Sequence, residues 1–303
     1  MWSDILPTNI VSPAGGASSI SSISTVCVAE ARRSYYSDRK AMLTTEELRF
    51  FKRCGYLIKR QVMDPKLMAL ARERLWDDEP PPSLQRDDPQ TWVGPLPESE
   101  HSTDSNNARS DYRWNYRRIG TEPWIVRMLA TDPAIFAMAE QMLGAGELQP
   151  PERIRGIYCT LPFGDRPRRP MACHCDAHPF HLGVVGYIDD VGPDSGAFCV
   201  WPGSHRLFYH TFRTGYQRDP TEAHDAAQAR VNWAPPVDCY GAAGDIVFWH
   251  HRLGHMAGHN YSSRIRQAVL YDYCKRGLEA VQDEPPCADM WQHWSEELRA
   301  VDL

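Results

Sequence analysis

Long apolar runs are missing from this 303-residue chain. No stretch comes near the roughly 20 residues that span a bilayer, so a membrane-spanning helix is not expected. Lysine is scarce, 5 against 28 arginines, and the net charge is −6. Base composition explains such an imbalance, and guanidinium forks suited to carboxylate or phosphate are the functional reading. With no basic field over the whole chain, a dedicated nucleic-acid binder is not expected either. The nine cysteines are odd in number and form no CxxC pair, which argues against a disulfide framework or a zinc ribbon. Free thiols in a reducing, cytoplasmic setting are the expectation. Hydrophobic residues at 42% and charged residues at 24% are ordinary globular values. What the chain has in plenty is histidine, twelve in all.

The first forty residues read as a flexible extension, with a small, polar stretch from Ser12 to Ser24 and no apolar segment after basic residues. Arg32, Arg33 and Ser34 leave a weak organelle-targeting reading open. A single domain over residues 41–303 is expected to follow. Thr44 or Thr45 can cap a first helix that stops at Gly55, followed by a short strand over residues 56–59. Asp64-Pro65 opens a second helix to about Trp76. Residues 80–107 read as a long Pro-, Asp- and Ser-rich loop, and residues 124–143 as one third helix ended by Gly144 or Gly146. Beyond Pro151 the pattern turns to short alternating segments over 154–160, 182–189, 197–201, 245–249 and 264–273. Helices first and strands afterwards predict an α+β, mainly β fold: a jelly-roll (cupin-like) core flanked by N-terminal helices.

Ten of the twelve histidines lie between His174 and His259, in the strand-rich part. In Cys173-His174-Cys175-Asp176, strand alternation puts His174 and Asp176 on one face. With one remote histidine they would form the two-histidine, one-carboxylate set that binds non-haem Fe(II) and leaves three positions open. A lone His-x-Asp is a weak signal. Cys173 and Cys175 would face the other way, as buried, inert thiols. Further on stand Tyr187-Ile188-Asp189-Asp190-Val191, Gly196-Ala197 with Pro202-Gly203-Ser204-His205, and Gly244-Asp245-Ile246-Val247-Phe248. Then come His255-Met256-Ala257-Gly258-His259-Asn260 and Arg264-Ile265-Arg266, whose two arginines would share a face.

In this order the blocks resemble the phytanoyl-CoA dioxygenase family of Fe(II)/2-oxoglutarate-dependent oxygenases. The resemblance runs over about residues 43–275, and Leu43-Thr44-Thr45-Glu46-Glu47-Leu48 is similar to the family's usual start. It implies a double-stranded β-helix, with Fe(II) as metal and 2-oxoglutarate and O2 as cosubstrates. It implies His174, Asp176 and His255 as the metal ligands. Arg266, eleven residues beyond His255, would pair the distal carboxylate of 2-oxoglutarate. His250, His251 and His259 compete for the distal ligand position, and Arg264 competes with Arg266. Tyr187 would lean on 2-oxoglutarate, or be plain core. Asn260 would hydrogen-bond near the cofactor, or make an Asx turn. His178 and His181, just after the ligand segment, are candidate substrate contacts or rim and core residues, and His205 is expected to shape its turn.

Two departures stand out: His259 replaces a common Pro or Gln, and the stretch from His174 to Tyr187 is short for the family. The implied activity is oxidation, by preference hydroxylation, of an unactivated C–H bond in a small molecule, with succinate and CO2 as products. The alternative is a metal-dependent hydrolase or isomerase on a cupin-like barrel. Arg166, Arg168 and Arg169 would favour an anionic substrate, and a secondary metabolite also suits the pattern. No nucleic acid or membrane partner is expected, and a homodimer is left open.

Overall fold

The computed structural model describes residues 42–303, so the N-terminal extension lies outside the described residues. Helix α1 (Thr45–Cys54) starts from a complete capping box between Thr44 and Glu47 and ends on Gly55, whose φ of 81° is the left-handed value that suits glycine. Strand β1 (Tyr56–Lys59) leads to helix α2 (Pro65–Asp77), where Asp64 caps and Pro65 fills the first turn. The hairpin β2 (Asn107–Ser110) and β3 (Arg113–Tyr116) follows. Helices α3 (Pro123–Leu129) and α4 (Pro133–Leu143) replace the single helix expected there. The break is physical: Pro133 has no N–H to continue α3, and Asp132 before it accepts from the amides of Ala134 and Ile135 as a fresh N-cap.

The rest of the chain supplies β4 (Ile157–Thr160), β5 (Leu182–Tyr187), β6 (Phe198–Val200), α5 (Ser204–Phe208), α6 (Ala223–Asn232), β7 (Val237–Asp238), β8 (Ile246–His250), β9 (His255–Ala257) and β10 (Arg266–Tyr273). They form a seven-stranded sheet, β1-β8-β5-β10-β4-β3-β2, and a three-stranded sheet, β7-β6-β9, with every pair antiparallel. All five expected strand segments are present, four of them shortened at one or both ends and β8 shifted by one residue. The β2–β3 hairpin was not expected, although Trp114 and Tyr116 alternate as a half-buried strand requires, and both are fully buried.

Alternation then sorts the large sheet into two faces. Val184, Val269 and Tyr273 pack with the helices, among Phe51, Leu75, Ile125 and Met138. Val185, Tyr187, Val247, Trp249 and Ala268 face the other way and pack against Phe198 and Val200 of the small sheet. This second layer, between the sheets, makes the fold a double-stranded β-helix. It is also close-packed: a Cβ on Gly183 would come within 2.2 Å of the Trp249 indole. Seven cysteines are free thiols, Cys159, Cys173, Cys175, Cys199, Cys239, Cys274 and Cys287. The expectation of free thiols fails at Cys54, which is disulfide-bonded. Among the described residues, no helix is long and apolar enough to cross a membrane.

Candidate metal centre

His174 does not sit on a strand as expected. The segment around it is irregular, and His174 makes a single antiparallel bridge to His255, the first residue of β9. Each amide donates to the other's carbonyl at 3.0 Å. Residues directly opposite in such a bridge project to one side, and the two imidazole centroids lie 4.6 Å apart. Asp176 reaches the same point, with its Oδ2 3.5 Å from His255 Nε2. One donor atom from each of His174, Asp176 and His255 lies within 4.8 Å of the others. The predicted convergence is therefore present, built by one backbone bridge instead of strand alternation.

The surroundings prepare these donors. The ring nitrogen Nδ1 of His255 lies 2.9 Å from the Leu253 carbonyl, an acceptor only, so Nδ1 donates there and Nε2 is the nitrogen turned toward Asp176. Phe198 stacks on the His255 ring at 5.1 Å, and Trp249 stands 5.6 Å away. His255 is buried, whereas His174 is exposed, so the centre is walled on one side and open on the other. Helix α6 grips the residue before His174: Asn232 Oδ1 accepts from the Cys173 amide at 2.9 Å, and Gln228 Nε2 donates to its carbonyl at 2.6 Å. Partial desolvation of the His174 ring, with His255 alongside, pushes its imidazole down to about 4, against the pull of Asp176, although the residue as a whole is exposed. Burial alone would raise the Asp176 carboxyl, but His255, Arg155 and His178 outweigh it and hold it well below the usual carboxylate range.

Sequence reasoning missed Arg155. Its Nη2 donates to Asp176 Oδ2 at 3.2 Å, and its Nε and Nη2 hold the two Asp272 oxygens at 2.6 and 2.8 Å. His178 joins them, with Nε2 2.9 Å from both Arg155 and Asp272. His178 is thus at the exposed rim of the centre, a position that suits both the rim reading and the substrate-contact reading. His181 is not. It is 1% exposed, its Nδ1 accepts from the Lys275 amide at 3.3 Å, and its ring packs on Tyr216. That expectation is corrected: five residues of irregular chain past Asp176 turn it into the core.

Arg266 lies on the inner face of β10, opposite Thr160, and is 6% exposed. Its Nε donates to Gly196 O at 2.6 Å and its Nη1 to Tyr158 O at 3.3 Å, and no carboxylate pairs with it among the described residues. Burial lowers its pKa, partly offset by Tyr187, Cys159 and Cys199. Arg264 does not share this face; it is exposed in the bend before β10 begins. Tyr187 is fully buried across from Ala268, its hydroxyl donating to Cys239 O and accepting from Phe198 N at 2.8 and 2.9 Å. Asn260 is corrected toward its turn reading. Its amide donates to Thr160 O and Arg264 O, and its oxygen accepts from Ser262, so no polar atom is left for a cofactor.

The competing histidines are placed elsewhere. His250 and His251 are buried beyond Trp249. His205, in α5, donates from Nε2 to Lys52 O at 3.3 Å, and His259 packs on Phe163. Cys173 and Cys175 are buried, and burial pushes the Cys173 thiol up to about 12, which makes it inert.

Residues 161–268, about a third of the chain, match the sequence profile of the phytanoyl-CoA dioxygenase family. No curated protein sequence matches the chain. Among solved structures, it is similar to the non-haem α-ketoglutarate-dependent carbocyclase SnoK from nogalamycin biosynthesis, with a TM-score of 0.51 and 20% identity over 83% of this chain and 95% of that one. It is also similar to EctD from S. alaskensis. The apo form gives a TM-score of 0.52 and 18% identity over 84% and 83% of the two chains. The form with bound Fe gives 0.51 and 16% over 85% and 84%. At such identities the likeness is one of fold. The segment 161–268, which holds His174, Asp176, His255 and Arg266, is thus a phytanoyl-CoA dioxygenase family segment carried on a double-stranded β-helix.

Proposed function

We propose that the chain is a non-haem iron, 2-oxoglutarate-dependent oxygenase, acting as a single domain over residues 41–303 and hydroxylating an unactivated C–H bond of a small molecule. One observation carries the reading. A buried guanidinium with no carboxylate partner among the described residues, Arg266, lies on the inter-sheet face of β10, and His255 of a two-histidine, one-carboxylate donor set packs into the same inter-sheet layer against Phe198 and Trp249. A buried cation without an anion is costly unless a ligand supplies one, and a dicarboxylic cosubstrate does. A hydrolase or isomerase has no use for that arginine. The donor set fits Fe(II), since two imidazoles and a carboxylate leave one face of an octahedron open.

His174, Asp176 and His255 would hold the metal. Arg266 would take the distal carboxylate of 2-oxoglutarate through its planar fork, which a lysine could not match. Tyr187 stands two residues along the same face, where its ring would flank the cosubstrate. With O2, bound iron and 2-oxoglutarate supply an oxidant able to break an unactivated C–H bond. The protein's part is to fix positions and to keep water out, the latter through Phe198 and Trp249. His178, on the rim, would touch the substrate. Asp176 favours hydroxylation over halogenation, because a carboxylate fills the position that a halide would need. The cyclase named among the similar folds makes ring closure the reaction to distinguish.

Anaerobic addition of Fe(II) and 2-oxoglutarate should produce the weak visible charge-transfer band of the chelate. Succinate should then form in air. Absence of the band from the wild-type protein would overturn the reading.

A further inference from the structure

A second metal-capable donor set shares Asp176 with the first. One donor atom each of Asp176, His178 and Asp272 lies within 4.8 Å of the others. Two carboxylates and an imidazole at that spacing attract a divalent cation. Here a cation is already in place, and it belongs to the chain. Arg155 touches all three donors: Asp272 side-on at 2.6 and 2.8 Å, Asp176 at 3.2 Å and His178 at 2.9 Å. Asp176 and Asp272 are 14% and 13% exposed in their side chains, too enclosed for water to screen their mutual repulsion well. The guanidinium stays protonated at any physiological pH and cannot dissociate, as it is tethered to the backbone before β4.

We infer that Arg155 is a built-in occupant of this second cation site and keeps the centre mononuclear. This rests on the proposed metal reading of His174, Asp176 and His255. A free cation among Asp176, His178 and Asp272 would draw on the carboxylate that the first metal needs. Arg155 offsets part of the charge of the two carboxylates while offering only N–H donors, so it braces Asp176 without competing as a ligand. The arrangement also explains why His178 and Asp272, good ligand types beside the centre, are not additional ligands to it.

The test is metal stoichiometry, read with Mn(II) by calorimetry and by electron paramagnetic resonance. Wild type should bind a single Mn(II) with a mononuclear signal. Arg155→Gln should bind a second, with the signal broadened by coupling. Arg155→Lys, which keeps the charge, should return to a single ion, and Asp272→Asn added to Arg155→Gln should remove the second. A single ion of unchanged affinity and spectrum in a folded Arg155→Gln would overturn the inference. If that variant fails to fold, wild type decides: a coupled pair of Mn(II) ions in it overturns the inference, and one mononuclear ion at excess metal supports it. Wild type that binds no Mn(II) overturns the underlying reading instead.

Discussion

Two histidine clusters sit in this protein, and only one has the makings of a metal site. His174 and His255 pair with Asp176, keep their donors within 4.8 Å of each other and open to solvent through His174. On the far side of Trp249, His250 stacks on His251 at 4.3 Å and on Trp294 at 5.2 Å, with His205 at 5.3 Å. This second group has more imidazoles, and His205 Nδ1, His250 Nε2 and His251 Nδ1 have no hydrogen-bond partner among the described residues. Yet no carboxylate among the described residues joins it. Burial first, helped by neighbouring charges, holds His250 and His251 well below their ordinary values, and takes His205 down to about 3. They serve as neutral plates: His205 packs with Trp291, His250 with Trp291 and Trp294, and His251 with Tyr209 and Tyr216. Histidine density alone therefore does not make a metal centre here: His174, Asp176 and His255 bring their donor atoms within 4.8 Å of one another and reach solvent, whereas the second group is buried.

The sharpest way to break the comparison is Asp176→Ala, which should abolish iron-dependent succinate formation and the charge-transfer band. Undiminished turnover would place the metal elsewhere. Next in size, Arg266→Ala should raise the 2-oxoglutarate requirement roughly 10- to 100-fold, the worth of charge-assisted hydrogen bonds. The requirement for the organic substrate should move far less, and equal shifts in initial-rate measurements would count against the assignment.

A third prediction concerns acid. The folded state keeps His181 and His205 neutral down to about 3, while unfolded histidine takes a proton near 6.5. Their contribution is intact above that higher value and declines as pH falls from it, by about 1.4 kcal/mol per pH unit for each group. Urea titrations between neutral pH and pH 4 should show the loss, and a flat profile would mean these rings already protonate in place. The smallest effect on the metal centre is expected from His250→Phe. It removes the unpartnered Nε2 but also the Nδ1 that accepts from the Arg252 amide at 3.0 Å, so it should leave metal binding intact while costing about 1–3 kcal/mol of stability. Loss of metal in that variant would erase the distinction between the clusters.

Much of this was readable from the chain because local rules and the final fold agree. The caps at Thr44 and Asp64 and the alternation in β5, β8 and β10 are properties of neighbouring residues. The third helix was misread because its apolar spacing runs on through Pro133, where the missing N–H decides. The β2–β3 hairpin hid inside a polar stretch whose only signal was Trp114 and Tyr116 two apart. His174, Asp176 and His255 came forward through their order along the chain. Arg155, Asp272 and the α6 grip on Cys173 could not, as their partners are 21, 117, 55 and 59 positions away and nothing local marks them. His181 shows the opposite error: nearness in sequence to Asp176 suggested nearness in space.

The two hydrogen bonds between His174 and His255 join positions about eighty residues apart. Closing so long a loop costs chain entropy that only the packing of both sheets can repay. The pair of imidazoles should therefore come into register late, after the large sheet is assembled. Mn(II) uptake followed by stopped flow during refolding would then serve as a clock for the final stage of assembly, lagging behind the recovery of secondary structure.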